Sequence, residues 1–513
     1  MQLKTLLESL EQSPEYSSDS DRSLETIGQL DITNLAYDSR NVEPGGLFIA
    51  VPGTHTDGRR YVADAARRGA VAALGPALRD GVAQPSIPYI QVGDVLSAQA
   101  DLACAFYGFP AQRLCTIGVT GTDGKTTTCN LIQTLLHEAG LGSGLMTTAN
   151  FKIGEREWEN TTRQSTLEAL EVQQFLRQLL DDGMTHAVIE ATSHGLELQR
   201  VRGCAFDIGV VTNITHEHLE FHKTLENYRR AKARLFEMLD ARRDKGLGVR
   251  SVAILNRDDS SYEVLKPYCS VPILDYGIDT PAAIRAVDVQ LGPTGTRFRA
   301  LLPGGDDAMQ PAIETRLVGK FNVSNCLAAI ATAYSLGIEP EVIARGLAKV
   351  PGVTGRMERI DEGQDFMVIV DYAHTPDSLA KVLSILRPLT SGKLIVVFGS
   401  AGERDVQKRP SMGQIAAQMA DFFVITDEDP REEDREAILR EIAAGSEAEG
   451  KREGRDFLCI ADRRRAIAAA FERAQTGDAV LLAGKGHEQS IIIGREKIPW
   501  DDRKVAREQL LLR

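Results

Sequence analysis

The spacing of apolar and polar positions changes several times along the chain. Up to about residue 110, short apolar runs (LFIAVPG, AVAALG, YIQVGD) are separated by turn residues. Runs bounded in this way predict the strands of a small α/β unit. LRDGVAQPSIP, rich in turn formers, predicts a loop. From residue 111 the pattern changes. RLCTIGVTG predicts a strand running into a glycine loop, and TTTCNLIQTLLHEAG has helical periodicity. HAVIEAT, IGVVTNI and VAILN predict further strands, with helical stretches between them. This alternation predicts βαβ units and a parallel sheet. After PGVTGR, near residue 351, the alternation restarts: DFMVIVDYA, KLIVVFGS, DFFVITD and AVLLAG predict the strands of a doubly wound domain. EIAAGSEAEGKREGRD is polar and predicts a solvated surface loop. The predicted divisions are 1–110, 111–350 and 351–513, and no internal repeat is visible.

The chain has 513 residues, more than one core accommodates, with 43% hydrophobic and 26% charged residues, as in ordinary globular proteins. No segment approaches the ~20 apolar residues of a membrane helix, so no membrane insertion is expected. MQLKTLLESLEQSPEY lacks the basic start and apolar core of a secretory signal. The cysteines are scattered, odd in number and form no CxxC, which predicts reduced thiols and a cytoplasmic protein. A net charge of −13 argues against nucleic-acid or anionic-membrane partners. It leaves room for a small anionic substrate held by local lysines and arginines.

Residues 117–128, IGVTGTDGKTTT, supply such a local site. In a phosphate-binding loop, backbone N–H groups ring the phosphate oxygens, a lysine bridges them and the next hydroxyl binds magnesium. Gly121 and Gly124 allow close backbone approach, and Lys125 and Thr126 fit the other two roles. Thr122, Asp123 and Thr127 complete the loop. The common pattern has a longer gap between its glycines, so a plain strand–turn–helix link is the competing reading. The helix that follows adds the positive end of its dipole.

Two downstream stretches carry carboxylates and histidines. IEATSHGLELQR ends an apolar strand on Glu190, and VVTNITHEHLEFHKTLENYRRAKARLF holds His216, His218, His222 and Lys232. Without cysteine or HExxH spacing, zinc is disfavoured. Magnesium, which takes oxygen ligands and phosphates, fits better beside a nucleotide. A polar surface segment is the bland alternative.

TGTDGKTTT, EATSHGLELQR, TNITHEHLEFH, YRRAKARLF, GKFNVSN, GRMERI, DYAHTPDSL, FGSAGERDVQKRP, DEDPR and GKGHE occur in this order. Together they resemble the Mur ligase family over nearly the whole chain. The resemblance implies three α/β domains: a small N-terminal domain holding the UDP end of the substrate, a central P-loop ATPase-type parallel-sheet domain, and a C-terminal Rossmann-like domain that closes over the site. It implies an ATP- and Mg2+-dependent ligase that adds a diamino acid to UDP-N-acetylmuramoyl-L-alanyl-D-glutamate through an acyl phosphate. Such an enzyme serves cytoplasmic peptidoglycan precursor synthesis, and a monomer is expected.

The resemblance also implies residue roles. Lys125 would hold the β- and γ-phosphates, with Thr126 on one magnesium and Glu190 and His218 on a second. Lys232 matches a lysine that is carbamylated in similar enzymes. Asn322, Arg356, Asp371 and His374 match nucleotide-contacting positions. Ser39 resembles a uracil-side contact. Thr161, Thr162, Thr192 and Arg200 match positions that hold the muramoyl-dipeptide. Arg404, Glu428, Asp429, Arg431, Gly484 and Glu488 match acceptor-binding positions.

Where relatives that use meso-diaminopimelate commonly read Asp-Asn-Pro-Arg, this chain reads Glu428, Asp429, Pro430, Arg431. Arg431 suits bidentate capture of a distal carboxylate, which favours meso-diaminopimelate. Asp429 adds negative charge, which suits the ammonium of L-lysine or L-ornithine. Arg431 could instead be tied up by Glu432, Asp434 or Asp429 in a surface salt bridge. Two rival readings are another ligase of the superfamily, such as a folylpolyglutamate synthetase, and a P-loop NTPase switch that performs no ligation.

Overall fold

The computed structural model describes residues 1–12, 15–16, 27–53, 56–78, 85–162, 164–215, 219–292, 294–304 and 310–513. They form two compact units. The first comprises Met1–Arg285, Leu301–Gln310 and Ser324–Ile343, and the second comprises Ala286–Ala300, Pro311–Val323 and Ala344–Arg513.

The first unit begins with a small sheet. Gly46–Ile49 pairs in parallel with Leu35–Ala36 and with Ala70–Gly75, and Tyr89–Gln91 follows in parallel. Glu15–Tyr16 closes one edge antiparallel. Side chains alternate across a strand. Leu47 and Ile49 therefore enter one apolar cluster, with Leu3, Leu6, Val95 and Leu102, while Phe48 enters the cluster on the opposite face, with Val62 and Ala65. The three apolar runs expected in this region are all strands. Part of the loop expected from LRDGVAQPSIP lies outside the described residues.

The larger sheet of this unit has six parallel strands in the order Ser143–Met146, His186–Glu190, Cys115–Thr120, Ile208–Val211, Val252–Asn256 and Ile273–Gly277. Asn150–Ile153 and Arg156–Glu159 extend the first edge antiparallel. Ile284 and Arg285 pair with the last of the six. Cys115–Thr120, earliest in sequence, lies in the middle, so its connections leave in both directions. The crevice beyond the carboxyl end of such a strand is where open α/β sheets bind ligands.

The second unit is built on a six-stranded sheet in the order Glu358–Ile360, Met367–Asp371, Ala479–Ala483, Leu394–Phe398, Phe422–Ile425 and Phe457–Cys459. All pairings are parallel except that of the first strand. Ile369, Val396, Phe398, Phe423 and Leu481 pack on one face, and Val368, Val370, Ile395, Val397, Val424 and Leu482 on the other. Both faces are apolar, as a doubly covered parallel sheet requires. The loops after its strands are those singled out by sequence: 371–375, 399–407, 426–434 and 484–489.

One expectation is corrected. EIAAGSEA is not a surface loop but the second half of the helix Arg435–Ala448, in which Ile442, Gly445 and Ser446 are buried. This helix crosses Lys408–Met419 backbone to backbone. A Cβ on Gly445 would overlap the carbonyl of Pro410, and one on Gly413 the carbonyl of Ile442. Ser446 Oγ donates to Gly413 O at 2.9 Å. Small residues that read as loop formers are here the means of close helix approach.

Among the described residues no helix is long and apolar enough to cross a membrane. The seven cysteines form no disulfide.

Candidate active site

In the first unit the predicted phosphate loop follows the middle strand. Gly121 and Gly124 have φ of 150° and 82°. A Cβ at Gly121 would overlap Thr212 Oγ1, and one at Gly124 would overlap Asn325 Oδ1. Both positions therefore require glycine on conformation and on space. Thr122 N donates to Asn213 O at 2.7 Å, and Asp123 N donates to Asn213 Oδ1 at 3.0 Å. Thr212 Oγ1 and Asn213 Nδ2 both donate to Asp123 O, at 2.6 and 3.1 Å. The helix Lys125–Glu138 starts at once, with Gly124 as its cap. Lys125 Nζ folds back over the loop, donating to Gly121 O at 3.0 Å and Thr122 O at 2.7 Å.

Thr126, Glu190 and Lys232 converge on this loop. Thr126 Oγ1 donates to Glu190 Oε2 at 2.8 Å. Thr148 gives Glu190 two further bonds, from N to Oε2 at 3.0 Å and from Oγ1 to Oε1 at 2.8 Å. Lys232, 1% exposed, donates to Gly121 O at 2.6 Å and lies 4.5 Å from the Tyr228 ring centre. Thr127 is buried in the first turn of the helix. The donor set, a carboxylate with threonine hydroxyls beside a glycine loop, is oxygen-rich and suits magnesium and phosphate. His218 and His216 lie outside the described residues. His222 is buried beside Phe221 and Tyr228.

The residues expected to hold the muramoyl-dipeptide form a second group in this unit. Thr192 caps the helix Ser193–Glu197, and its hydroxyl lies 3.0 Å from that of Thr166. Arg200 donates to Thr166 O at 3.0 Å and pairs with Glu168 at 2.6 Å. Thr161 and Thr162 are exposed on the loop after Arg156–Glu159, where Thr162 Oγ1 donates to Asn160 Oδ1 at 2.6 Å. Ser39 is buried at the start of the short helix Ser39–Asn41.

In the second unit, Asp371 ends its strand. Its carboxylate accepts from Met357 N at 2.7 Å and Ala373 N at 2.8 Å, and its carbonyl accepts from Gly484 N at 3.1 Å. The Arg356 guanidinium lies 4.8 Å from the Tyr372 ring, which also packs against His374 and His487. Burial, reinforced by Arg356, lowers the His487 pKa to about 3, so this imidazole is neutral at physiological pH. Asn322 is buried, with Nδ2 donating to Val318 O at 2.9 Å.

Glu428 is 8% exposed, and its Oε2 has no hydrogen-bond partner among the described residues. Burial pushes its carboxyl up to about 7, while the charges of Lys408 and Lys485 act the other way. A Cβ on Gly484 would lie 3.7 Å from that oxygen, in ordinary contact. Asp429 Oδ1 accepts from Lys485 Nζ at 3.0 Å and from Ile492 N at 2.9 Å. Lys485 also meets Glu488 at 2.5 Å. Lys485 is thus shared between Asp429 and Glu488, and it offsets the added negative charge expected at Asp429 only in part. Arg431 pairs with none of its three expected partners. Glu432 meets Arg495 at 2.6 Å, Asp434 caps the helix Arg435–Ala448, and among the described residues Arg431 pairs with Glu403, at 3.7 Å. Arg431 Nε is buried without a hydrogen-bond partner among the described residues. Arg404 is exposed on the preceding loop.

Sequence reasoning missed Asn213, Thr148, Asn325, Tyr372 and Lys485. Asn213, Asn325, Tyr372 and Lys485 sit inside stretches already singled out, where a polar or aromatic residue beside a glycine or strand-end loop was the available signal. Arg463 was also missed. Its fully buried guanidinium pairs with Asp502 at 2.6 Å and donates to Asp427 O and Ala483 O, at 3.0 and 2.8 Å. It fastens the ends of the two strands from which the Glu428 and Gly484 loops depart.

Three family models match the chain: "Mur ligase family, catalytic domain" over residues 31–107, "Mur ligase middle domain" over 119–333, and "Mur ligase, glutamate ligase domain" over 355–486. Together with the three sheets and the glycine loop they define a ligase. A UDP-N-acetylmuramyl-tripeptide synthetase of Roseiflexus sp. (strain RS-1) is 50% identical over 489 residues, 94% of each chain. A UDP-N-acetylmuramoyl-L-alanyl-D-glutamate--2,6-diaminopimelate ligase of Geobacillus kaustophilus (strain HTA426) is 42% identical over 481 residues, 94% of this chain and 95% of that one. A solved structure with the same ligase title has 32% identity and a TM-score of 0.65, covering 96% of this chain and 97% of the other. The chain belongs to the Mur ligase family.

Proposed function

We propose that this chain is the ATP-dependent ligase that joins meso-diaminopimelate to the γ-carboxylate of D-glutamate in UDP-N-acetylmuramoyl-L-alanyl-D-glutamate. The observation that carries the choice of acceptor is a pair of buried atoms, unpartnered among the described residues, three positions apart in one loop. Glu428 Oε2 is an acceptor that suits an ammonium, and Arg431 Nε is a donor that suits a carboxylate. A side chain ending in both groups uses both, whereas lysine or ornithine leaves the arginine donor unused. An unmet buried donor costs about 1–3 kcal/mol.

The chemistry follows from the groups present. A carboxylate is a poor electrophile, and transfer of the γ-phosphoryl of ATP to it supplies a leaving group. The incoming amine loses a proton, attacks the acyl carbon, and phosphate departs as the amide forms. Backbone N–H groups of residues 121–124, the helix dipole and Lys125 would hold the phosphates, with Thr126, Glu190 and His218 as magnesium ligands. Magnesium, when bound, offsets the charge of two anions brought together. Thr192, Arg200, Thr161, Thr162 and Ser39 are assigned to the UDP-substrate. Asn322, Arg356, Asp371 and His374 are assigned to the nucleotide, and Arg404, Glu428, Asp429, Arg431, Gly484 and Glu488 to the acceptor. The functional divisions are 1–110 for the UDP-substrate, 111–350 for ATP and 351–513 for the amino acid. The reaction is placed in the cytoplasm, with the enzyme a monomer.

Lys232 is assigned a carbamate. An ammonium offers a cation no lone pair, whereas the carbamate offers two oxygens and keeps an N–H for Gly121 O. Lys232→Ala is expected to lower kcat by ~100-fold or more, with partial recovery in formate or acetate. Absence of recovery would leave Lys232 acting only as a donor to the loop.

The direct test is phosphate release from ATP with the UDP-muramoyl-dipeptide and each acceptor in turn. Strong stimulation by meso-diaminopimelate is expected. Stimulation by lysine or ornithine instead would refute the acceptor assignment, and stimulation by none would favour an NTPase switch.

A further inference from the structure

The contact between Glu403 and Arg431 has features of a device for tuning acceptor capture. The two loops that carry them are stitched together by backbone. Gly402 N donates to Asp429 O at 2.8 Å, Glu403 N donates to the Glu433 carboxylate, and a Cβ on Gly402 would overlap Pro430 O. Arg431 is fixed on its other side by Arg431 N to Ile492 O at 3.0 Å and Gly494 N to Arg431 O at 2.7 Å. Both residues have φ of 56° although neither is glycine. Such strained backbones persist where the surroundings fix them, and they cluster at ligand clamps.

The side chains do not exploit this fixed geometry fully. Glu403 Oε2 stands 3.7 Å from the Arg431 guanidinium, close enough for charge attraction and too far for a hydrogen bond. Arg431 Nε stays unpartnered among the described residues. Glu403 is 45% exposed and Arg431 22%. The arginine is therefore held loosely by a charge that water can take over, with its hydrogen-bonding fork free for a better-placed carboxylate. Resting on the acceptor assignment above, we infer that Glu403 is a specificity-tuning residue that occupies Arg431 in place of the distal carboxylate of the acceptor. An acceptor bearing that carboxylate must displace Glu403 or share the guanidinium with it. An acceptor without one leaves the pair intact. Glu403 thus weakens capture of the carboxylate-bearing acceptor alone.

The test is steady-state kinetics of Glu403→Gln with meso-diaminopimelate and with L-lysine, at low and high salt. The backbone N–H that anchors the loop is retained in this variant. An exposed pair of this kind sets the scale: KM for meso-diaminopimelate is expected to fall about two- to fivefold, less so at high salt. KM for lysine and for ATP should be unmoved. In an Arg431→Ala background the same substitution should have no effect on KM for meso-diaminopimelate. An unchanged or raised KM in Glu403→Gln, or an equal fall in the Arg431→Ala background, overturns the inference while leaving the acceptor assignment standing. Failure of the wild-type enzyme to use meso-diaminopimelate overturns both.

Discussion

Glu428 shows how one side chain links burial to acceptor capture. Its carboxyl titrates near 7 because it is buried, with Lys408 and Lys485 favouring the charged form and Glu488 and Asp429 opposing it. An ammonium bound beside it favours the carboxylate, so binding below about pH 7 must release a proton. KM for meso-diaminopimelate should therefore rise as pH falls below about 7, approaching tenfold per unit. Glu428→Gln should weaken binding and abolish that slope. A KM flat between about pH 5.5 and 8 in the wild type would refute this titration. The same shift has a stability consequence. Between the ordinary value of 4.5 and about 7 the folded state binds more protons at this site than the unfolded chain, so the contribution of Glu428 to stability falls across that window and is constant above it. The identity of Glu428 was legible in the sequence, through its tract. Its surroundings were not, because Lys408 opens the helix Lys408–Met419 and Lys485 follows the strand Ala479–Ala483, and only the tertiary fold brings them together. For the same reason the partner of Arg431 was misjudged: Glu403 lies on a different loop, whereas the expected partners were neighbours in sequence.

At the scale of the element, the strands were legible because both sheets bury continuous apolar runs, as in Leu394–Phe398 and Ala479–Ala483. The helix Arg435–Ala448 was half lost. Its apolar positions Ile438, Leu439 and Ile442 follow helical spacing, but Gly445 and Ser446 after them signal a loop in any reading from composition. Tertiary packing reverses that signal, since the crossing with Lys408–Met419 leaves no room for a side chain at Gly413 or Gly445. Gly445→Ala accordingly tests whether the small residue is structural. In a solvated loop or an exposed helix, alanine would be neutral or stabilising by up to ~1 kcal/mol. Against the Pro410 carbonyl it should destabilise by about 1–3 kcal/mol or more through overpacking. Denaturant or thermal midpoints measure the difference, and a raised midpoint would contradict the close crossing. Gly445→Ala should also disturb the Glu403 loop, because Lys408–Met419 begins directly after it and Arg409 of that helix pairs with Glu433 at 2.8 Å.

At the scale of the whole molecule, the three domains that the family models match are gathered into two compact units, and the reason lies in shared packing. Leu170, from the helix Ala169–Asp181, is buried in the core of the N-terminal sheet. Tyr37 donates to Glu171 at 2.8 Å, and Arg202 pairs with Asp101 and Glu11 at 2.7 and 2.6 Å. These side chains lie far apart in sequence, and their pairing leaves no mark on local periodicity, so the division near residue 110 could be read but the packing across it could not. The second unit has its own two apolar clusters, one on each face of its sheet. Cores divided in this way predict that thermal unfolding is not all-or-none. Two calorimetric transitions are expected, not three, with the N-terminal sheet melting together with the six parallel strands that follow it. A ligand stabilises only what it binds. ATP with magnesium should therefore raise the transition of the first unit through the glycine loop, by roughly 5 °C at about a hundred times its Kd, and that of the second through Asn322, Arg356, Asp371 and His374. Meso-diaminopimelate alone should raise only the second. Three transitions would mean that the Leu170, Tyr37 and Arg202 contacts are too weak to couple the N-terminal sheet to its neighbour. A single transition moved equally by both ligands would mean that the two units unfold as one.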